Sequence, residues 1–341
     1  MNIPVSQNKQ SGLTLVEVMV AIVISLILLT GVIQIFVGNK QTYSKTEALS
    51  RVQENGRFAM DYIAKEIRMA DFWGCANNDA NPGLVITNNL NPPNPPDTPA
   101  SHPVDPSAGG ITGTNNTGLN GSDTLILQGA YGGGLGLVTH SEPAASYQLS
   151  TVNHGLNDGD VIMATDCDKA DVIEVTNSNP GVNSNIVANL GNNDPGFGNV
   201  SKAVQYNDSA TIYRVRTIIY SIKAGASGEP ALFRNENGND VELVEGVQDM
   251  QVLYGEDIDD DNTANRYLSA AAVTDFDNVV SIRVTLTLRT LKDLRRSGAA
   301  AGAAAGAAGA AGPGPGPGPA ANFGRILRTY STTSTIRNRV I

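Results

Sequence analysis

The chain has 341 residues, 41% hydrophobic, 5% aromatic and 16% charged, with a formal net charge of −10. That length is ample for a buried core, and an acidic chain with no basic run excludes nucleic-acid binding by phosphate neutralisation. Two Cys and three His exclude a zinc-finger framework and leave little for His-based catalysis.

From Val18 to Val37 the sequence holds 20 consecutive uncharged residues, VMVAIVISLILLTGVIQIFV. As a helix this run spans about 30 Å, one bilayer core. A secretory signal has an apolar stretch of about 7–15 residues with a small-residue cleavage site after it. Here the run is longer, and the small residue, Gly12, stands before it. Glu17 places an acid at the entrance of the apolar stretch, where an unpartnered charge costs up to about 2.5–3.5 kcal/mol at mid-membrane. Such a carboxylate needs a cationic partner, and a free N-terminal amine would serve.

The residues Gln10-Ser11-Gly12-Leu13-Thr14-Leu15-Val16-Glu17 resemble the class III signal of type IV prepilins and type II secretion pseudopilins. The resemblance implies a leader of residues 1–12, cleavage after Gly12 by a prepilin peptidase, and N-methylation of Leu13. It makes Glu17 the fifth mature residue, which neutralises the amine of a neighbouring subunit during assembly. Leu13 departs from the phenylalanine commoner at that place. The implied location is the bacterial inner membrane before assembly and the filament or its tip afterwards, with the head first in the periplasm.

Residues 39–72 contain no proline, and Leu49, Val52, Gly56, Ala59, Ile63, Ile67 and Ala70 recur at three- and four-residue steps. That spacing predicts one stripe of an amphipathic helix, with Arg51, Glu54, Arg57, Asp61, Lys65, Glu66 and Arg68 on its wet faces. A continuous helix from Leu13 to about Ala70 would run on the order of 85 Å. Residues 13–38 would be its transmembrane and filament-core part, and 39–72 its amphipathic part. Gly31 is an interior helix breaker, and the proline that often kinks major pilins is absent.

Residues 73–341 read as a β-rich head with long loops. Residues 280–288 (VSIRVTLTL) alternate strictly, a half-buried strand. Further strands are expected at 124–127, 161–164, 172–175, 210–222, 241–244, 248–254 and 325–336, with a hairpin over 232–243 around Asn237-Gly238. A helix followed by strands gives an α+β, pilin-like class with an antiparallel sheet laid on the helix. Residues 77–122, 177–199 and 298–321 read as loop. The last is a tract of only Gly, Ala and Pro, a linker unable to pack a core. Gly132-Gly133-Gly134 reads as a flexible segment, since it lacks the lysine and helix of a phosphate-binding loop. His102, His140 and His154 read as exposed loop histidines.

The head is similar to the PilW family of minor pilins. The likeness rests on residues 62–68 leading into Phe72-Trp73-Gly74-Cys75, on residues 165–176, on Val252-Leu253-Tyr254-Gly255-Glu256-Asp257 and on the closing Ile336-Arg337-Asn338-Arg339. It implies a non-enzymatic minor pilin that helps prime pilus assembly and sits at or near the tip. Partners would be other minor pilins and the major pilin through the N-terminal helix, with a tip adhesin as a further one. The nearest competing reading is a J-type pseudopilin of type II secretion; an anchored extracellular enzyme or adhesin is the reading from a different class. After export, Cys75 and Cys167 would meet an oxidising compartment, which favours a disulfide over two buried free thiols.

In the acidic loop 257–265, Asp257, Asp259 and Asp261 occupy positions one, three and five of an EF-hand-like pattern, and carboxylate oxygens suit Ca²⁺. The sixth residue is Asn262 rather than Gly, and Leu268 stands where a bidentate Glu belongs. A solvated acidic turn is therefore the simpler reading, with calcium as its competitor and no other cofactor expected.

Overall fold

The computed structural model describes residues 14–76, 86–90, 110–141, 145–189, 191–194, 197–199, 206, 210–293 and 324–340. Gly12, Leu13, His102 and the Gly/Ala/Pro tract lie outside them. Two compact units are present, residues 1–51 with 292–326 and residues 52–291 with 327–341.

Helix α1 spans Leu15–Met69, passing Gly31 and Gly38 without a break. Every residue from 14 to 40 is exposed. Within that apolar stretch the Thr30 hydroxyl donates to the Leu26 carbonyl at 2.8 Å, so the helix satisfies its own polar side chain. It is long and apolar enough to cross a membrane.

In the second unit, residues 52–69 of α1 pack on sheet. The expected stripe is the buried one: Val52, Gly56, Ala59, Ile63 and Ile67 are buried, joined by Met60 and Ala64. Burying each large aliphatic side chain there contributes about 1.5–3 kcal/mol. Gly56 is required by close approach, because a Cβ there would lie 2.5 Å from the ring of Tyr330. One expectation is corrected. Glu66 is not on a wet face: its side chain is 12% exposed and pairs with Arg216 at 2.8 Å, with Arg234 3.7 Å away. Glu236 completes the cluster at 2.6 Å from Arg234, fastening the helix to the sheet.

The larger sheet has ten strands: β1 (Ile86–Asn88), β2 (Ile111–Thr114), β3 (Thr124–Ser141), β4 (Ser146–Leu149), β5 (Val161–Thr165), β6 (Ala170–Glu174), β7 (Asn185–Val187), β10 (Thr211–Ala224), β11 (Pro230–Glu236) and β12 (Asn239–Glu245). Its main path runs β1-β6-β5-β10-β3-β4-β7, with β2 on β3 and the β11–β12 hairpin on β10. β8 (Gly191–Asp194) and β9 (Phe197–Asn199) form a separate pair. A four-stranded sheet has the order β14-β13-β15-β16, from β13 (Val247–Glu256), β14 (Arg266–Leu268), β15 (Val279–Arg289) and β16 (Leu327–Thr335). Pairing is antiparallel except for the three-residue β1–β6 ladder, so the fold is α+β and pilin-like. The largest core joins the helix stripe to Leu125, Leu127, Ile218 and Leu232 of one sheet and Met250, Val252, Ile282 and Leu286 of the other.

The expected hairpin is β11–β12. Asn237 (φ +48) and Gly238 (φ +89) take the positive-φ positions that a tight two-residue turn demands. Residues 77–122 and 177–199 are not wholly loop, since they contain β1, β2, β7, β8 and β9. Those strands have three or four residues in Asn- and Gly-rich sequence, too short to show an alternation. The triple glycine lies inside β3, not in a loop. The register of β3 against β10 shifts there, and a Cβ on Gly134 would come within 3.0 Å of the Tyr213 ring.

Candidate assembly site

Glu17 lies in the first turn of α1, one helical turn after Thr14. Thr14 donates to Glu17 Oε2 twice, from its N–H at 3.0 Å and from its Oγ1 at 2.9 Å. The Glu17 N–H returns a bond to Thr14 Oγ1 at 3.3 Å. This reciprocal pair is a capping box, which satisfies N–H groups that a helix start leaves orphaned. Oε1 has no hydrogen bond among the described residues. The carboxylate is thus held in one rotamer with one oxygen still able to accept. Sequence reasoning singled out Glu17 and missed Thr14, although Thr-x-x-Glu before an apolar run carries that signal.

From Val18 to Val37 the helix surface is uncharged and exposed. A shallow groove runs along one face from Glu17 past Ala21 and Ser25 to Leu29, lined by aliphatic side chains and almost no polar surface. The arrangement offers an oriented carboxylate at the end of a greasy track, suited to a cation carried on another apolar helix.

The head places the other singled-out residues apart from this site. Cys75, in a short 3₁₀ turn (Gly74–Ala76), is disulfide-bonded to Cys167, with Cα atoms 5.2 Å apart. Cys167 occupies the β5–β6 turn at φ +70. The bridge ties the segment just after α1 to that hairpin, beside a small core of Trp73, Ala76, Met163 and Val172.

Asp257, Asp259 and Asp261 do come together, each offering a carboxylate oxygen within 4.8 Å of the others. Their hydrogen bonds run inward to the loop itself. Asp257 accepts from the N–H groups of Asp259 at 3.2 Å and Asn262 at 2.7 Å, and Asn262 takes a positive φ of 64° where an EF-hand has glycine. Leu268 sits in β14 opposite Tyr254 and offers no oxygen side chain.

The histidines require correction. His154 is buried: its Nδ1 accepts from the Leu156 N–H at 3.1 Å and its Nε2 lies 3.0 Å from the Asn183 carbonyl. His140 is on β3, stacked on Tyr147 and edge-on to Tyr206. Both cysteines are consumed by the bridge, so neither serves a histidine as a nucleophile.

Residues 7–33 match the family model of the prokaryotic N-terminal methylation motif, and residues 219–338 match that of the type IV pilus-assembly protein W, PilW. Together these matches support a type IV pilus minor pilin, similar to PilW. No curated protein and no solved structure matches it. The PilW match runs from the middle of β10 through β16 and so covers most of the strand residues that share a core with the helix stripe. That likeness implies a structural subunit. The methylation motif and the apolar helix fit a membrane-anchored pilin that interacts with other pilus components.

Proposed function

We propose that this minor pilin is cleaved after Gly12, methylated on Leu13, and drawn into the filament by pairing of Glu17 with the amine of a neighbouring subunit. There it helps prime assembly and stays at or near the tip, its head in the periplasm until export. The observation that carries this reading is the Glu17 carboxylate, oriented by Thr14 at the start of a helix whose apolar stretch, residues 18–37, is exposed. In lipid the pairing removes two uncompensated charges at once, a gain absent for any single subunit. The apolar helices then pack side by side through van der Waals contact, as helices in lipid do. The heads set which subunit follows which.

The test is Glu17→Ala, expressed in piliated cells in place of the natural chain. Processing should be intact, while the amount of subunit in sheared filaments should fall about tenfold, the effect of roughly 1.4 kcal/mol. Wild-type incorporation of that variant would remove the electrostatic step from the account.

A further inference from the structure

Among the described residues, β16 is the outermost strand of its sheet, paired only with β15 over nine residues with no register shift. Every second residue of β16 therefore turns its N–H and C=O away from β15, and no described backbone group meets them. An unpaired edge of this length is a template for another strand. The other long edge, β12, is protected. It carries Asp240, Glu242 and Glu245, and its register slips between Leu232 and Phe233 of its partner. β14, at the far side of the β16 sheet, has only three residues. β16 is long, keeps its register and contains no acid, lysine or proline: apart from Leu327, Arg328 and Tyr330 it is filled by Ser and Thr.

Charge identifies what fits there. Residues 324–340 contain four arginines and no Asp or Glu, in a chain whose net charge is −10. Arg339 is held internally by Asp71. Arg328, near the start of β16, and Arg337, just past its end, are both exposed and have no acidic partner among the described residues.

We propose that the free edge of β16 is a strand-addition site for an extended segment of another pilus subunit, one with acidic residues at both ends. Main-chain hydrogen bonds hold the added strand, and carboxylates over Arg328 and Arg337 set its register. The source of the partner rests on the pilin reading above; the pairing chemistry does not.

Benzoylphenylalanine placed at the exposed Thr329 of the full chain, and separately at Ala21 of the apolar helix, tests this by photo-crosslinking in piliating cells. The Thr329 adduct is expected on an extended, Asp- or Glu-bordered segment of a different pilus subunit. Arg328→Glu combined with Arg337→Glu should lower its yield about fivefold, the worth of two exposed ion pairs, and leave the Ala21 adduct with neighbouring pilins unchanged. An Ala21 adduct without one from Thr329 overturns the strand-addition site alone. So does a Thr329 adduct to a second copy of this chain or to a segment without acids, or a yield indifferent to the double substitution. Loss of the Ala21 adduct in the otherwise natural chain overturns the filament reading and, with it, the source of the strand.

Discussion

Asp71 and Arg339, 268 positions apart in the sequence, form a buried ion pair beside the C-terminal end of α1. Asp71 sits at φ +58, just past the helix, and its carboxylate also accepts from Trp73 Nε1 at 2.7 Å and the Gly110 N–H at 2.9 Å. Arg339 donates in addition to the carbonyls of Phe276 and Val279. The neighbouring Asn338 donates to the Ala70 carbonyl at 2.7 Å, near the end of the helix, where carbonyls lose their helical partners. Both ions are thus hydrogen-bonded on several sides, the condition under which a buried pair is tolerated. The closing residues of the chain are the lock on its first element.

Removing one partner leaves the other charge buried and alone. Arg339→Ala and Asp71→Ala should each cost about 3–5 kcal/mol, and the double variant less than their sum. Trp73, the single tryptophan and itself bonded to Asp71, reports the change directly. Urea unfolding of the full chain in detergent, followed by its fluorescence, measures it. A loss under about 1 kcal/mol would mean the pair is ornamental.

Alkaline pH acts on the core. Burial, then the charge of Asp171 and the hydrogen bond to it, push the Tyr206 phenol well above the ordinary tyrosine range. Burial does the same to Tyr147, Tyr220 and Tyr254. A group whose pKa is raised by folding contributes stability that is fully present below its unfolded value. That contribution drains away as pH rises toward the folded value. The thermal midpoint should therefore hold through neutral pH and fall above about pH 10. Tyr206→Phe should lower it at pH 7 and make the alkaline fall shallower. A midpoint that stays flat to about pH 11.5 would contradict the burial of these phenols.

The acidic loop should behave as a self-bonded turn. Burial pushes the Asp257 carboxyl up, but the N–H groups of Asp259, Asn262 and Asp261 outweigh it and hold the group below the usual carboxylate range. Asp259 accepts from the Asn265 amide and Asp261 from the Thr263 N–H, so the loop satisfies its own charges. Chelator should leave the thermal midpoint of the purified protein where it is. A midpoint that rises with calcium and drops on chelation would assign the three carboxylates to a metal.

The long helix was legible because its signal is periodic and local: an uncharged run, then a stripe repeating at three and four residues. The strands β10, β13 and β15 and the Asn237-Gly238 turn were legible for the same reason. Glu66 was misplaced because its partner Arg216 lies 150 residues away, and nothing near Glu66 distinguishes a paired acid from a wet one. Gly56 entered the stripe as a small residue, but its need to be glycine comes from Tyr330 on β16. His154 sits in Asn- and Gly-rich sequence yet is buried, because its ring bonds two backbone groups that the loop would otherwise leave unmet. At the assembly site Glu17 stood out through its cost in lipid. Thr14 did not, since capping is a matter of hydrogen bonds and not of hydropathy.

The most direct measurement is the intact mass of the protein taken from membranes, with and without reductant. The account requires loss of residues 1–12, gain of one methyl group on the Leu13 amine, and a further gain of two protons when the Cys75–Cys167 bridge is reduced. An intact N-terminus would contradict it, because Leu13 would then carry no free amine to methylate; cleavage after the apolar run would contradict it by removing Glu17 itself.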